Sequence, residues 1–208
     1  MLDYDVVAAG EPADGTVLVL LHGRGADGGD LRPLASQFPR SWTTVLPNAP
    51  HPAGPWGYGP GYAWYRYLGG NVPEPESFRR SLSELDTLLA ALPEAVGFAP
   101  ARVVLGGFSQ GGTVSMAYLL TRPGRVSHAL NFSGFLADHP DVQVHPATAS
   151  GVHVFWGHGF SDANIPFSFA ESGRAVLEGA GAVLEARDYP IGHWIDPLEV
   201  AHAVAFVK

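Results

Sequence analysis

The sequence predicts an α/β fold in which a mostly parallel central sheet is covered by helices on both faces. Short apolar, β-branched runs alternate with segments of helical periodicity, the pattern typical of such a sheet. Of the 208 residues, 46% are hydrophobic and 15% are charged, as in a compact globular protein. No repeat, charge run or Ser-rich linker divides the chain. We therefore expect a single domain over residues 1–208.

Six runs are predicted to be strands and five segments to be helices. The strands are expected at 16–21, 43–46, 102–105, 128–132, 152–156 and 182–188, and the helices at 30–37, 75–92, 111–121, 166–179 and 197–207. The helix over 75–92 has the clearest signal, because leucines follow Phe78 at helical spacing up to Leu92. Pro93 is expected to end it.

Segment 47–70 departs from this regularity, since Pro, Gly, Trp and Tyr dominate it. A loop of this length in a compact domain is usually functional or disordered. Its aromatic content favours an ordered loop. The aromatic side chains are expected either to pack over the sheet edge or to contact a substrate, because Trp and Tyr serve both uses.

Composition excludes several function classes. Twelve basic and twenty acidic residues give a formal net charge of −8, so nucleic acid is not an expected partner. The absence of cysteine removes disulfides, thiolate nucleophiles and Cys-ligated zinc. Apolar runs are too short to cross a bilayer, and the amino terminus does not resemble a signal peptide. We expect a cytoplasmic protein without integral membrane association.

Ser109 is the candidate nucleophile. It lies in the run Gly107-Phe108-Ser109-Gln110-Gly111, between a predicted strand and a predicted helix. This G-x-S-x-G pattern is typical of a strained turn that exposes a serine hydroxyl and needs small residues two positions before and after it. The same pattern also occurs by chance in ordinary turns. A base and an acid elsewhere in the chain must decide between the two interpretations.

His193 is the candidate base. It follows the last predicted strand in the segment YPIGHWIDP. Catalytic groups in such sheets collect beyond the carboxyl ends of strands, and in this chemistry the chain order is Ser, acid, His. The rival histidines lie inside predicted strands, inside the last helix or in a Pro-rich stretch that no strand precedes: His128, His153, His202, His139 and His145.

Asp162 is the candidate acid. It comes shortly after the predicted strand at 152–156 and precedes His193 in the chain, as the expected order requires. The alternatives either precede that strand, lie on the strand leading to His193 or lie too close to His193 in sequence: Asp138, Asp141, Asp188 and Asp196.

Two backbone N–H groups are expected to bind the oxyanion that forms when a hydroxyl attacks a carbonyl. One belongs to Gln110, at the positive end of the helix after the nucleophile. The other is assigned to Arg24, in the glycine-rich turn after the strand at 16–21. His22, just before this turn, is interpreted as a brace for the loop, since no second ligand has metal-site spacing.

Four segments, LLHGRGADGGDL, GGFSQGGTVSM, GHGFSDANIP and IGHWI, resemble in this order the phospholipase/carboxylesterase family of α/β-hydrolases. The resemblance extends over nearly the whole chain. It implies an α/β-hydrolase fold without a large cap domain, no cofactor and no metal. It also implies that Ser109, Asp162 and His193 form a catalytic triad, with the amides of Arg24 and Gln110 as the oxyanion hole.

The segment AWYRY resembles a family segment beside the acyl site, which implies that Trp64, Tyr65 and Arg66 bind substrate. Arg66 departs from the family pattern, where Asp is frequent. Arg24 is a second departure, since small or apolar residues are frequent at that position. Its side chain is expected either to attract an anionic acyl group or to point into solvent.

The resemblance implies a serine carboxylesterase that acts on short- to medium-chain carboxylic esters. A lysophospholipase and an acyl-protein thioesterase are the alternatives within the same chemistry. Outside the enzyme class, the alternative is a non-catalytic ligand-binding module on the same fold. The expected partner is a small-molecule ester. A homodimer through exposed aromatic side chains is compatible with the sequence, although no feature requires it.

Overall fold

Nine strands lie in residues 1–10 and 13–208, the part of the chain that this computed structural model describes. They are β1 (Tyr4–Val7), β2 (Thr16–Leu21), β3 (Thr43–Pro47), β4 (His51–Pro52), β5 (Tyr62–Ala63), β6 (Arg102–Phe108), β7 (His128–Phe132), β8 (His153–Gly159) and β9 (Val183–Tyr189). All six predicted strands are present. Strands β6 and β8 extend three residues beyond their predicted ends, because the glycines there remain paired in the sheet.

Seven strands form one sheet in the order β1-β3-β2-β6-β7-β8-β9. Strand β1 is antiparallel to β3, whereas the other six run parallel. The sequence prediction missed β1, a four-residue edge strand whose two central residues are exposed and which therefore lacks an apolar run. Because the central strands are parallel, the carboxyl ends of β6, β7, β8 and β9 meet at one edge, where the candidate site lies.

The α-helices of the described residues are α1 (Arg32–Ala35), α2 (Pro75–Val96), α3 (Gln110–Thr121), α4 (Pro146–Ala149), α5 (Phe167–Gly179) and α6 (Pro197–Val207). The predicted helices over 111–121, 166–179 and 197–207 agree with α3, α5 and α6 to within one residue at each end. The α/β fold class predicted from the sequence is confirmed. No helix of the described residues has the length and apolar character needed to cross a membrane.

The prediction that Pro93 ends the long helix is wrong. Helix α2 continues to Val96 and ends at Gly97, which has φ 79° and whose N–H bonds the Pro93 carbonyl. Proline removes one N–H donor from a helix, and here it does so close to the carboxyl end. Buried Leu88 and Leu92 hold the preceding turns against the core.

The single helix predicted over 30–37 is also wrong. A 3₁₀ turn over Gly28–Leu31 comes first, and the short α1 follows it. Asp27 caps the turn, since its carboxylate accepts the Gly29 N–H at 2.8 Å and its own N–H bonds Asp30. Pro33 lacks an N–H, so the helical hydrogen bonds of the turn do not run through it.

The core has two layers, one on each face of the sheet. Along β2, the alternate residues Val17, Val19 and Leu21 face the layer formed with α2, α3 and α5. Leu18 and Leu20 face the layer formed with α1 and α6. Each such fully buried side chain stabilises the fold by about 1.5–3 kcal/mol. The sheet is therefore buried on both sides, and its rigidity fixes the loops at its edge.

Segment 47–70 is an ordered loop, as its aromatic content predicted. Strands β4 and β5 pair within it as a small hairpin, and a 3₁₀ turn over Gly54–Trp56 lies between them. Two aromatic residues just after β5, Trp64 and Tyr65, are fully buried. Within the described chain, no insertion between the strands is long enough to form a large cap.

Candidate active site

Ser109 connects β6 to α3 in a strained conformation, with φ 54° and ψ −115°. Such a φ is uncommon for a residue with a Cβ and persists only where neighbours hold it. The Ser109 N–H donates to the Phe132 carbonyl at 2.8 Å, and the Ser109 carbonyl accepts the Thr113 N–H at 3.1 Å. These bonds tie the turn both to β7 and to the first turn of α3.

Gly107 and Gly111 are required by the close approach of backbone atoms. A Cβ on Gly107 would lie 2.3 Å from the Gly111 carbonyl carbon, and a Cβ on Gly111 would lie 2.2 Å from the Leu21 oxygen. Both distances are far inside van der Waals contact. The prediction that small residues flank the serine on both sides is confirmed, and its cause is packing against β2 and α3.

Ser109, His193 and Asp162 form a chain of hydrogen bonds. The Ser109 hydroxyl lies 3.0 Å from His193 Nε2, and His193 Nδ1 lies 2.7 Å from an Asp162 carboxylate oxygen. The serine therefore donates to Nε2, while Nδ1–H donates to the carboxylate. Asp162 follows β8 and His193 follows β9, so three parallel strands supply the three groups. Such an arrangement lets imidazole take the hydroxyl proton while the carboxylate orients the ring.

The Asp162 side chain is fully buried and fixed by its own loop. One carboxylate oxygen accepts the N–H groups of Asn164 and Ile165, at 2.9 and 2.8 Å. The other oxygen faces His193. On the other side, the Phe108 ring lies 4.7 Å from the imidazole of His193, centroid to centroid. Both partners of the imidazole–carboxylate bond are thus held in place.

His158 is a neighbour of the site that the sequence analysis missed. Its Nε2 donates to the Ile165 carbonyl at 3.0 Å and lies 3.6 Å from Asp162. Burial lowers the pKa of His158, so its ring is neutral. The Asp162 carboxylate therefore has no second positive charge beside it when His193 becomes protonated. The sequence offered one sign of this role: His158 lies near the carboxyl end of β8, just before Asp162.

Three of the four rival acids are engaged elsewhere. Asp141 pairs with Arg79, and Asp188 with Arg174. Asp196 caps α6 by accepting the Leu198 N–H at 2.7 Å.

Four of the five rival histidines also have other partners. The ring centroids of His128 and His153 lie 4.9 Å apart, and His202 Nδ1 is hydrogen-bonded to the Tyr189 hydroxyl at 2.8 Å. His139 accepts the N–H of Asp141 within its own loop.

The backbone N–H groups of Arg24 and Gln110 lie beside the serine and make no hydrogen bond to another described residue. Gln110 is the first residue of α3, where helix N–H groups lack internal acceptors. Gly23, which leads into Arg24, packs so closely that an added Cβ would lie 3.2 Å from the Phe108 ring. The two donors are therefore available for an anion at this place.

His22 braces the loop that carries Arg24, as the sequence analysis proposed. Its Nδ1–H donates to the Gly23 carbonyl at 2.7 Å, and its Nε2 accepts the Ala49 N–H at 3.0 Å. This pattern requires a neutral ring, and burial lowers the pKa of His22 accordingly. Its backbone carbonyl also accepts the indole N–H of Trp64 at 2.9 Å.

The Gln110 side chain has a positioning role that the sequence did not indicate. Its oxygen accepts the Trp64 N–H at 3.0 Å, and its nitrogen donates to the Tyr65 carbonyl at 2.8 Å. The Gln110 amide thus binds the segment after β5 as a neighbouring strand would. This pair of bonds joins segment 47–70 to the residue next to Ser109.

Of the three residues predicted to bind substrate, one lines the cavity beside Ser109. Tyr65 forms part of its wall, whereas Trp64 and Arg66 do not. Trp64 is fully buried, with its indole N–H donating to the His22 carbonyl, and Arg66 is exposed. The expectation that Trp64 and Arg66 line the substrate site is therefore corrected: Trp64 belongs to the core, and Arg66 lies at the surface away from the cavity.

The cavity beside Ser109 has a volume of about 510 Å³. Its wall is largely aromatic and aliphatic, and Ser109 and His193 are among its polar residues. The apolar lining consists of Leu31, Tyr65, Tyr67, Phe108, Phe135, Ile165 and Phe169. Such a cavity suits a small ligand with an apolar portion. Across residues 1–10 and 13–208, no group of three or more His, Asp or Glu side chains is placed to hold a metal ion.

Comparisons with known proteins agree with this geometry. A family model described as Phospholipase/Carboxylesterase matches residues 2–208. Acyl-protein thioesterase 1 of Cryptococcus neoformans var. neoformans serotype D is 30% identical over 167 residues, which are 74% of this chain and 69% of that protein. The crystal structure of esterase PE8 is 29% identical with a TM-score of 0.78, covering 99% of this chain and 97% of that one.

A carboxylesterase from Mesorhizobium loti has the same fold. Its TM-score is 0.83 at 23% identity, and the match covers 98% of this chain and 93% of that one.

Proposed function

Because the chain belongs to the phospholipase/carboxylesterase family of α/β-hydrolases, we propose that this hydrolase is a serine carboxylesterase acting through an acyl-enzyme on Ser109. Its substrates are short- to medium-chain carboxylic esters. The observation that supports this most strongly is the hydrogen-bond chain from the Ser109 hydroxyl through His193 to Asp162, at 3.0 and 2.7 Å. Two unpaired N–H groups beside the serine supply the remaining requirement of acyl transfer.

In the first half-reaction, the Ser109 oxygen attacks the ester carbonyl carbon while its proton moves to His193 Nε2. The carbonyl oxygen becomes an oxyanion and accepts the N–H groups of Arg24 and Gln110. His193 then gives the proton to the leaving alkoxy oxygen, so that an alcohol departs and the acyl group remains on Ser109. Asp162 stabilises the imidazolium that exists between these two proton transfers.

In the second half-reaction, water takes the place of the alcohol. His193 removes a proton from the water as its oxygen attacks the acyl carbon, and the same two N–H groups bind the second oxyanion. The proton then passes to the Ser109 oxygen when the bond to the acyl carbon breaks. The products are a carboxylic acid and free enzyme, so no cofactor is consumed.

The absence of a large cap within the described chain leaves the cavity open to solvent, which favours dissolved esters over aggregated lipid. An acyl-protein thioesterase is the second candidate, because the 30% identical relative carries that name. A thioester would react through the same intermediates, with a thiol as the leaving group. A lysophospholipase remains the third alternative.

Rates on a series of 4-nitrophenyl esters from acetate to palmitate, beside acyl thioesters of the same lengths, test this proposal. We expect the highest kcat/KM at acyl chains of about two to eight carbons, because no large cap within the described chain covers a longer apolar chain. A maximum on long thioesters would instead favour the thioesterase. No turnover of any ester by folded protein would favour a ligand-binding module.

Three further properties belong to the same proposal. A single domain predicts one cooperative transition on thermal unfolding. A cytoplasmic location is tested by fractionation of the source cells.

A homodimer would form through the exposed aromatic side chains of Phe160 and Trp194, each of which is 56% accessible. Sedimentation at several protein concentrations measures whether it does.

A further inference from the structure

We infer that the Arg24 guanidinium binds a carboxylate on the substrate, so that the enzyme prefers esters carrying a second, free carboxylate. This inference rests on the proposed function and specifies the substrate class. It starts from Arg24 itself, an exposed arginine that lines a largely apolar cavity and whose side chain ester hydrolysis does not need. The reaction uses only the backbone N–H of Arg24.

The guanidinium is held on an aromatic platform. Its central carbon lies 4.8 Å from the centroid of the Tyr58 ring and 5.9 Å from that of the Tyr67 ring. Stacking on aromatic faces leaves the N–H groups at the edge of a guanidinium free to donate. An arginine so placed offers its planar set of donors to a carboxylate.

The platform is itself fixed. The Tyr67 N–H donates to the Tyr58 hydroxyl at 2.8 Å, and the Tyr67 hydroxyl donates to the Gly70 carbonyl at 2.7 Å. Gly25 has φ 82°, and a Cβ there would lie 2.0 Å from the Tyr58 carbonyl oxygen. The loop that carries Arg24 and the loop that carries Tyr58 are therefore in backbone contact. A cation held in this way loses little conformational entropy when an anion binds.

The charge of Arg24 is not neutralised by a neighbouring acid. None of the ion pairs found among the described residues includes Arg24, whereas other arginines pair with carboxylates. Among the acidic residues of the described chain, Asp30 alone also lines the cavity, and its carboxylate accepts the Asp27 N–H at the start of the 3₁₀ turn. In a chain of net charge −8, an unpaired cation at the reaction site marks a place for an anion.

The position of Arg24 sets where the second carboxylate lies. The backbone N–H of Arg24 faces the oxyanion of the reacting carbonyl, so its guanidinium is one arginine side chain away from that carbonyl. Esters of short dicarboxylic acids have their two carboxyl groups at a comparable separation. Tyr65 and Phe135 line the same cavity, and their rings suit the methylene groups of such an acid.

The test compares two substrates that differ at the remote carboxyl group: 4-nitrophenyl hydrogen glutarate, in which it is free and charged, and 4-nitrophenyl methyl glutarate, in which it is a neutral methyl ester. The measured quantity is the ratio of their kcat/KM values. We expect Arg24→Gln to lower this ratio by about tenfold to a hundredfold, the usual effect of losing a charged hydrogen bond. Any disturbance of the oxyanion hole acts on both substrates and cancels in the ratio.

Arg66→Gln is the matched control, because Arg66 is an exposed arginine that does not line the cavity. We expect it to leave the ratio unchanged. Arg24→Lys keeps the charge but loses the planar donors, so its ratio should lie between those of the native protein and Arg24→Gln. High salt should lower the ratio in the native protein and leave it nearly constant in Arg24→Gln.

A second pair of substrates, 4-carboxyphenyl butyrate and 4-carbamoylphenyl butyrate, carries the charge on the leaving group. A ratio that depends on Arg24 in this pair alone supports the inference with the carboxylate on the alcohol side. Equal ratios in the native protein and Arg24→Gln for both pairs overturn it. Hydrolysis of the neutral esters by native protein and not by Ser109→Ala keeps the proposed function intact in that case, so the two failures are distinguishable.

Discussion

Ser109 and Ser133 end adjacent strands of the sheet and share a strained backbone, but only Ser109 has a base beside it. Their φ values are 54° and 55°. Each donates its N–H to the next strand, Ser109 to Phe132 and Ser133 to Gly157. Yet the Ser109 hydroxyl lies 3.0 Å from His193, whereas the Ser133 hydroxyl is fully buried and makes no hydrogen bond to a described residue.

This difference shows that a strained serine at a strand end is not by itself a nucleophile. Ser109 is followed by α3, whose first N–H remains free, and the loops after β8 and β9 reach it with a carboxylate and an imidazole. Ser133 is followed by Gly134, whose N–H bonds the buried Asn131 side chain. The Ser109 turn lines the cavity, whereas the Ser133 hydroxyl is buried in the core. The predictions that follow test this division.

Replacing the two serines should give the largest contrast. Ser109→Ala removes the attacking oxygen, so kcat should fall by about 10⁴-fold or more, as it does when a triad nucleophile is lost. Ser133→Ala removes a buried hydroxyl without a partner, so activity should change less than about threefold and stability should not fall. Steady-state rates on 4-nitrophenyl butyrate and thermal unfolding measure both. Comparable losses of kcat in the two variants would contradict the conclusion that Ser109 alone of the two acts as the nucleophile.

Asp162→Asn should have the next largest effect. The amide keeps the shape of the side chain but no longer stabilises the imidazolium or selects the Nδ1–H tautomer, so kcat should fall by about 10³–10⁴-fold. Asp188→Asn is the control, since Asp188 pairs with Arg174 on the outer side of the sheet. An Asp162 variant that keeps more than a tenth of native kcat would show that His193 works without its acid.

Gly111→Ala should disturb the Ser109 turn through packing. The added methyl would overlap the Leu21 carbonyl oxygen of β2, and we expect a loss of about 3 kcal/mol or more in the free energy of unfolding. Gly179→Ala is the control, because nothing lies within 4 Å of a Cβ there. Denaturant unfolding compares the two. Equal stabilities would mean that a backbone shift relieves this overlap without cost, which would contradict the prediction.

The smallest effect concerns Glu199, which lies behind the Ser133 turn. A Cβ on Gly157 would meet its carboxyl group, and burial raises the pKa of Glu199 to about 8. Because this pKa lies above the ordinary glutamate pKa of 4.5, the stabilising protonated form is fully present below pH 4.5. Its contribution to stability is lost as pH rises through about 8, at up to about 1.4 kcal/mol per pH unit.

Glu199→Gln should therefore reduce the fall in unfolding temperature between pH 5 and pH 8, since a neutral amide has no proton to lose. The exposed Glu178→Gln is the control and should leave that fall as it is in the native protein. The measurement is thermal unfolding at half-unit steps of pH. If the unfolding temperature of Glu199→Gln fell between pH 5 and pH 8 as much as that of the native protein, ionisation of Glu199 would not be the cause of the fall.

The sequence predicted the fold through local patterns and missed features that arise from tertiary contact. Strands β2 and β7 were predicted with their observed bounds because their apolar runs are continuous. Pro93 was misread because the packing of α2 against the core outweighs one missing donor. Strand β1 was missed because half of its residues face solvent.

For the candidate site, the sequence identified the residues that strand order brings to one edge. Ser109, Asp162 and His193 each follow a strand, and the structure brings their side chains within hydrogen-bond distance. It did not reveal the Gln110 side chain as the clamp on segment 47–70, nor Ser133 as a second strained turn. Those roles depend on partners more than twenty residues away in the chain or on backbone angles, which no local pattern encodes.

The most direct test of the central claim is covalent labelling of the native protein with a fluorophosphonate, followed by peptide mass spectrometry. The account predicts one adduct per chain, on Ser109, formed at a rate that Asp162→Asn lowers and that Ser133→Ala leaves unchanged. An adduct on Ser133 or another residue, or no adduct on folded protein that hydrolyses esters, would contradict it.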